Sequence, residues 1–339
     1  MKGFNSDLIH FQQLHDYLKE LDSEELKGWM YQIEANNPWF TQENVKLALA
    51  GIIELLEPVA LKNFILNYPG IPPTPKKIGV IMAGNIPAVG FHDFLCVILS
   101  GNHIYAKLSS EDSFLIKKIA ELLIAIDSSF AERIFFVDQL KNMDAYITTG
   151  SDNSAKYFEY YFRSTPHIIR RNRTSVAIVS GNESKDELLD LGKDVFTYFG
   201  LGCRNVSHLF LPIDYSPATI LNCWDLEFYP VRNHHKYMNN YEYNKAILLI
   251  DQVPHFDSGY LLLKESDSVF SNIATLTYSF YDNINQLEDF LNTNAEQLQC
   301  VVSSIPLKHM NTVHFGMTQK PLITDFADGV DTMKFLTEL

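Results

Sequence analysis

Cys203 follows Gly200-Leu201-Gly202 and sits just before the apolar run at residues 206–211. A thiolate is a strong protein nucleophile once a neighbour lowers its pKa or an acyl group is held against it. The two glycines allow backbone or ligand to approach closely. A lone cysteine is nonetheless more often a small core residue. By itself Cys203 fits that role better, and Cys96 and Cys300, set within apolar runs, fit it too.

Asn85 lies in Met82-Ala83-Gly84-Asn85-Ile86-Pro87, directly after the apolar run at 78–82. At the C-terminal edge of a sheet its amide could donate to a developing oxyanion; losing one such donor costs about 2.7–4 kcal/mol of transition-state stabilisation. Taken alone, it is better read as a turn residue beside Gly84. Lys107-Leu108-Ser109-Ser110 and Thr148-Thr149-Gly150-Ser151 also stand at strand ends. Their hydroxyls, lysine and glycine suit the ribose and phosphates of a nucleotide, and equally a helix cap. Neither GxGxxG nor GxxxxGK[ST] occurs.

Three other groups read as structural. His234-His235 is expected to be a solvated pair, because adjacent residues do not share a face. Arg170-Arg171-Asn172-Arg173 is a local basic patch that could meet a phosphate or simply be a charged loop. Residues 157–162, Tyr-Phe-Glu-Tyr-Tyr-Phe, are expected to lie in a helix core.

Apolar periodicity predicts the elements that must position these residues. Leu8, Phe11, Leu14, Leu18 and Leu21 recur at helical spacing; Ser23 and Thr41 are predicted helix caps. Residues 68–75, rich in Pro and Gly, end this helical region. Strands at 78–82, 103–108, 134–137, 145–148 and 175–179 then alternate with helices at about 91–99, 114–126 and 154–162. That alternation predicts βαβ units and a parallel, Rossmann-type sheet. A helix at 187–198 leads to a strand at 206–211, and mixed elements beyond it predict a second α/β domain. The expected division is a helical region at 1–72, a cofactor domain at 73–200, a catalytic domain at 201–310 and a C-terminal segment at 311–339.

The whole chain has 339 residues, with 27 Lys and Arg against 41 Asp and Glu, a formal charge of −14. So acidic a chain is a poor partner for nucleic acid or anionic membrane. Four scattered cysteines make neither a disulfide framework nor a metal site. No apolar stretch reaches a membrane span, and no signal peptide is recognisable, so a cytoplasmic protein is expected.

The order of the segments carries more than any one of them. Gly-Asn-Ile-Pro after a strand, Lys-Leu-Ser-Ser after the next, Thr-Gly-Ser, and then Gly-Leu-Gly-Cys before a strand resemble the aldehyde dehydrogenase superfamily. More narrowly, residues 82–87, Phe91-His92-Asp93, residues 167–173 and residues 199–207 resemble the LuxC-type acyl-CoA reductases. The resemblance runs from about Lys77 to the C-terminus and includes residues 327–333. It implies an aldehyde dehydrogenase-like α/β fold, in which Cys203 is the acyl-accepting nucleophile and Asn85 the oxyanion donor. It gives Lys107, Ser109 and Ser110 to the adenosine ribose, and Thr149, Gly150 and Ser151 to the pyrophosphate side. Ser110 stands where relatives carry a ribose-binding Glu, which makes NADPH the expected cofactor. Arg170 stands near the position of the hydrolytic Glu. No Glu for the nicotinamide ribose is found; the nearest position is around Ser268.

The implied activity is reduction of a long-chain acyl-CoA or acyl-carrier protein to an aldehyde, with Arg170, Arg171 and Arg173 steering the anionic donor. A homo-oligomer is expected, as is an acyltransferase or synthetase partner. The alternatives are another acyl donor (a short CoA ester or an acyl phosphate) or a non-catalytic nucleotide-binding scaffold.

Overall fold

Phe11, Leu14 and Leu18 are buried on one face of α1 (Phe4–Lys19), as their spacing requires. The computed structural model describes residues 4–68, 70, 74–150, 152–308 and 310–339, so four residues of the 68–75 boundary and Ser151 lie outside the described residues. Helices α2 (Ser23–Asn36), α3 (Gln42–Leu55) and α4 (Pro58–Leu66) follow. Thr41 caps α3 as expected, accepting the Asn44 N–H at 3.3 Å. Asp22, not Ser23, caps α2: its carboxylate accepts the N–H groups of Glu24 and Glu25 at 2.8 and 3.2 Å. A carboxylate one residue earlier also meets the positive end of the helix dipole.

Five parallel strands form the first sheet, in the order β3 (Ile134–Phe136), β2 (His103–Lys107), β1 (Lys77–Ile81), β4 (Ala145–Thr149) and β5 (His167–Arg170). Helices α5 (Phe91–Leu99), α6 (Phe114–Ile126) and α7 (Asp152–Phe162) connect them. β5 is not among the expected strands, because only Ile168 and Ile169 of its four residues are apolar. On α7, Tyr157, Tyr160 and Tyr161 are exposed, which corrects the expected aromatic core. Phe162 turns inward and stacks on Tyr146 at 3.8 Å, while the tyrosines keep their hydroxyls in solvent.

The second sheet runs β11 (Leu298–Ser303), β6 (Thr174–Ile178), β7 (Val206–Pro212), β10 (Thr275–Tyr281), β9 (Leu262–Glu265) and β8 (His255–Asp257). Only β8 is antiparallel to its neighbour. Helices α8 (Lys185–Phe196), α9 (Pro217–Trp224), α10 (His235–Ile250) and α11 (Ile284–Thr293) accompany it. A capping box between Ser184 and Glu187 starts α8.

The chain divides into two compact units: residues 1–172 with 321–339, and residues 173–320. The division therefore falls at 172/173 rather than 200/201. Ala177 and Val179, with Leu188, Leu191 and Val195 of α8, bury themselves in one cluster with Leu209 and Leu276 of the second sheet. Nor does the helical region stand apart. Phe11, Phe40 and Phe64 share a continuous core with Ile78, Ile104 and Ile147. The last helix, α12 (Thr332–Thr337), buries Met333 and Leu336 in that same core, so residues 321–339 of the expected C-terminal segment close the first unit while 311–320 stay with the second. Among the described residues no helix is long and apolar enough to cross a membrane, and no group of metal ligands occurs.

Candidate functional site

In the first sheet the strand order reverses at β1, which lies between β2 and β4. Ligands of open α/β sheets bind outside the carboxyl ends of the strands at such a point. Ile81 pairs with Lys107 on one side and Thr148 on the other. The loop of Gly84 and Asn85 thus leaves the sheet between Lys107 and Thr149-Gly150, at strand spacings of about 4.8 Å. Asn85, Lys107 and Ser110 are exposed; Ser109, Thr149 and Gly150 are half-buried.

Close packing holds these segments together. A Cβ on Gly84 would lie 2.6 Å from the Ser109 Cβ and Oγ, so only glycine lets the Asn85 loop rest on the Ser109–Asp112 turn. Ser109 Oγ accepts the Glu111 N–H at 3.2 Å. Asp112, 5 % exposed, accepts the Ala88 N–H at 2.6 Å, and Ala88 itself is held at φ 54°. From the end of α2, Asn36 and Asn37 donate to the carbonyls of Ser110 and Glu111. The N-terminal helices therefore buttress the loop that follows β2.

The donor set suits a nucleotide. A Cβ on Gly150 would meet Ser154 at 3.0 Å and Phe158 at 3.2 Å, leaving backbone alone at the start of α7, where N–H groups face an anion. Thr148 Oγ1 is buried at the same strand end without a partner.

No feature of the sequence singled out Asp112. Burial raises its pKa to about 7, against the smaller opposing effect of the Ala88 N–H. Between its unfolded value of 3.8 and about 7 the folded state holds the proton more tightly, so the stability it contributes falls as pH rises. Asp112→Asn keeps an acceptor and cannot ionise. Its stability relative to the parent should grow by up to roughly 4 kcal/mol between pH 4 and pH 8. Urea unfolding at both pH values checks this; a pH-independent difference refutes it.

Arg170 does not belong to an open basic patch. It is 6 % exposed and gripped by Asp93 through both terminal nitrogens, with Nη2 also 2.7 Å from Oδ1 and 2.9 Å from Thr332 Oγ1. Burial pulls its pKa down, but the Asp93 carboxylate outweighs this and raises it. Arg171 pairs with Glu159, and in the second unit Arg173 donates to the Leu298 carbonyl at 3.0 Å. Burial beside Asp93 removes Arg170 from the steering role expected of the three arginines, whereas Arg171, its side chain 59 % exposed, stays on the surface beside Glu159.

In the second unit, α8 ends in an unusual turn before Cys203. Tyr198 and Phe199 have φ of 52° and 58°, and Gly200 follows at 76°. Two side-chain-bearing residues in the left-handed region cost of order 1–3 kcal/mol each, and such strain collects at functional sites. Tyr198 is buried, and Phe199 stacks on His234 with ring centroids 4.1 Å apart. Asn205, 2 % exposed, clamps the turn. Its Oδ1 accepts the Gly202 N–H at 2.8 Å, while Nδ2 donates to Thr197 O at 2.8 Å and Asp194 O at 3.0 Å. Ser175 Oγ donates to the Cys203 carbonyl at 3.0 Å. The cysteine is left half-buried at the entrance to β7.

Cys96 is fully buried, with its pKa raised well above the usual thiol value by burial, as a core cysteine should be. Burial raises Cys223 too. Cys300 is buried. His234, expected in a solvated pair, is half-buried and caps α10 through Nδ1, which accepts the Tyr237 N–H at 3.2 Å.

The family model of the acyl-CoA reductases (LuxC) matches residues 11–215, a span that holds Asn85, Lys107, Gly150 and Cys203. A comparison with curated proteins returned no match. Solved structures share the fold. Aldehyde dehydrogenase from Bacillus cereus, in its NAD+ complex, aligns over 87 % of this chain and 70 % of its own, with 12 % identity and a TM-score of 0.63. Aldehyde dehydrogenase 21 from Physcomitrella patens, in complex with the reaction product succinate, aligns over 89 % and 73 %, with 11 % identity and a TM-score of 0.65. A mutant of the P. syringae indole-3-acetaldehyde dehydrogenase, in complex with NAD+ and IAA, gives 87 % and 70 %, 13 % and 0.64. With the family model covering more than half of the chain, this aldehyde dehydrogenase-like α/β protein belongs to the LuxC family of acyl-CoA reductases.

Proposed function

We propose that the protein is an NADPH-dependent reductase that converts a long-chain acyl thioester, carried by CoA or an acyl-carrier protein, to the fatty aldehyde through an acyl-Cys203 intermediate. The observation that carries this reading is the turn before Cys203: a strained left-handed segment, clamped by Asn205, that ends on a half-buried thiol within the family-matched span. The thiolate attacks the thioester carbonyl, the Asn85 amide and the Cys203 N–H hold the oxyanion, and the CoA thiol leaves. A nicotinamide cofactor held by Lys107, Ser109, Ser110, Thr149, Gly150 and Ser151 would supply the hydride chemistry. The resulting thiohemiacetal collapses to aldehyde and frees the thiol.

Lys107, Ser109 and Ser110 are assigned to the adenosine ribose, and Thr149, Gly150 and Ser151 to the pyrophosphate. A serine at 110 puts no carboxylate there against a 2′-phosphate. Release as aldehyde rather than acid is favoured because Arg170, near the position of a hydrolytic base, is a guanidinium locked to Asp93 and cannot activate water. Self-association, an acyltransferase or synthetase partner and a cytoplasmic location complete the proposal.

Mass spectrometry after incubation with a long-chain acyl-CoA, without reductant, tests the covalent step; acyl mass on Cys203 is the expected result. Oxidation of NADPH and of NADH across acyl-CoA chain lengths tests the rest. Preference for a short ester or an acyl phosphate overturns the long-chain assignment. Asn85→Ala should lower kcat by about 10²–10³ with little change in KM, as loss of one oxyanion donor does. An unchanged kcat removes Asn85 from the reaction.

A further inference from the structure

A cavity lies wholly within residues 173–320, between α10, the β9–β10 pair and the loop that crosses from one strand to the other. Its volume is about 250 Å³. Lys264 is its only charged lining residue, and the Lys264 side chain makes no hydrogen bond or ion pair among the described residues. The Ser271 hydroxyl likewise has no partner there. Thr275 is 8 % exposed and its Oγ1 is buried with no hydrogen bond. An orphaned buried hydroxyl keeps its desolvation cost, which a ligand oxygen would offset. Ile247 and Phe270 supply an apolar wall.

We propose that this cavity is a binding site for a phosphomonoester group. The lining offers a cation and hydroxyl donors and no carboxylate, so it complements an anion rather than a metal or a sugar diol. A lysine acts as a point charge among donors that need not be coplanar, which fits a tetrahedral phosphate better than a planar carboxylate; the latter is matched by the arginine fork. Ser268 borders the same cavity, but its hydroxyl is engaged with the Phe270 backbone, donating to O and accepting from N at 3.2 Å each. The free donors thus lie on Lys264, Ser266, Ser271 and Thr275. The apolar wall leaves room for a short carbon skeleton beside the phosphate.

Calorimetric titration of the full chain, without acyl donor or NADPH, keeps this test separate from the reductase reading. The probes are inorganic phosphate, glycerol 3-phosphate and CoA at constant ionic strength, with chloride as control. Saturable binding of phosphate and tighter binding of glycerol 3-phosphate are expected. Lys264→Met should weaken both at least tenfold while leaving the unliganded melting temperature unchanged, since the ammonium makes no hydrogen bond or ion pair among the described residues. Ser271→Ala, which removes one hydroxyl at the cavity wall, should weaken them a few-fold and serves if the lysine variant fails to fold. Binding of the small phosphates assigns a free phosphomonoester. Binding of CoA alone, lost in Lys264→Met, assigns the 3′-phosphate of CoA. Heat matched by chloride, or binding of inorganic phosphate or glycerol 3-phosphate undiminished by both substitutions, overturns the proposal.

Discussion

Cys203→Ala should reduce acyl-CoA-dependent NADPH oxidation by on the order of 10⁴-fold or more, because it removes the atom that forms the covalent bond rather than one that tunes it. Folding should survive. The thiol is half-buried, and the hydrogen bonds that set the turn run through the Cys203 carbonyl, the Gly202 N–H and the Asn205 side chain. The variant keeps all of them. Its melting temperature should stay within a few degrees of the parent, as for loss of one small group outside the core. Acylation should likewise disappear from the mass spectrum of the variant. Thiol labelling gives an independent reading: Cys203 should react faster than Cys96, Cys223 and Cys300 and be protected by acyl-CoA. Retained turnover, or acyl mass on Cys223, ends the covalent reading. Slow, uniform labelling of all four favours a nucleotide-binding scaffold without catalysis.

The other large effect is expected on stability. Arg170→Met strands the Asp93 carboxylate at 4 % exposure, and Asp93→Leu strands the guanidinium at 6 %. Breaking a buried pair from either side costs about 3–5 kcal/mol, since the remaining charge has lost its counter-charge away from water. The double variant Arg170→Met/Asp93→Leu should recover most of that loss, because no charge is left buried; the Thr332 hydroxyl alone then lacks its bond to Nη2. Chemical unfolding of the four proteins closes the cycle. Losses that simply add would show that the pair is not the source of the stability. The same proteins test the steering role expected of Arg170. If Arg170 met the acyl donor directly, its loss would raise KM for acyl-CoA at unchanged stability.

Periodicity was sufficient for the strand–helix alternation of the first sheet. β1, β2, β4 and α6 lie where their apolar runs place them, because a strand covered on both faces must be apolar throughout and an amphipathic helix must repeat its apolar face. The acidic composition argued against a nucleic-acid partner, and among the described residues no helix is long and apolar enough to cross a membrane. The segment order, with Cys203 as its most specific member, was enough to identify the family. These are local properties: spacing, capping groups and turn residues act over a few positions of chain.

What the tertiary structure alone decided concerns partners far apart in sequence. Arg170 reads as a surface charge until Asp93 and Thr332, 77 and 162 residues away, close around it. Asp112 has no visible role until Ala88 donates to it, and Asn36 and Asn37 none until the turn after β2 rests against α2. The division at 172/173 depends on which core each helix chooses to bury its apolar face in, and α8 and α12 chose cores that linear order could not reveal. Charge burial and core membership are set by contacts across the chain, so a single sequence does not display them.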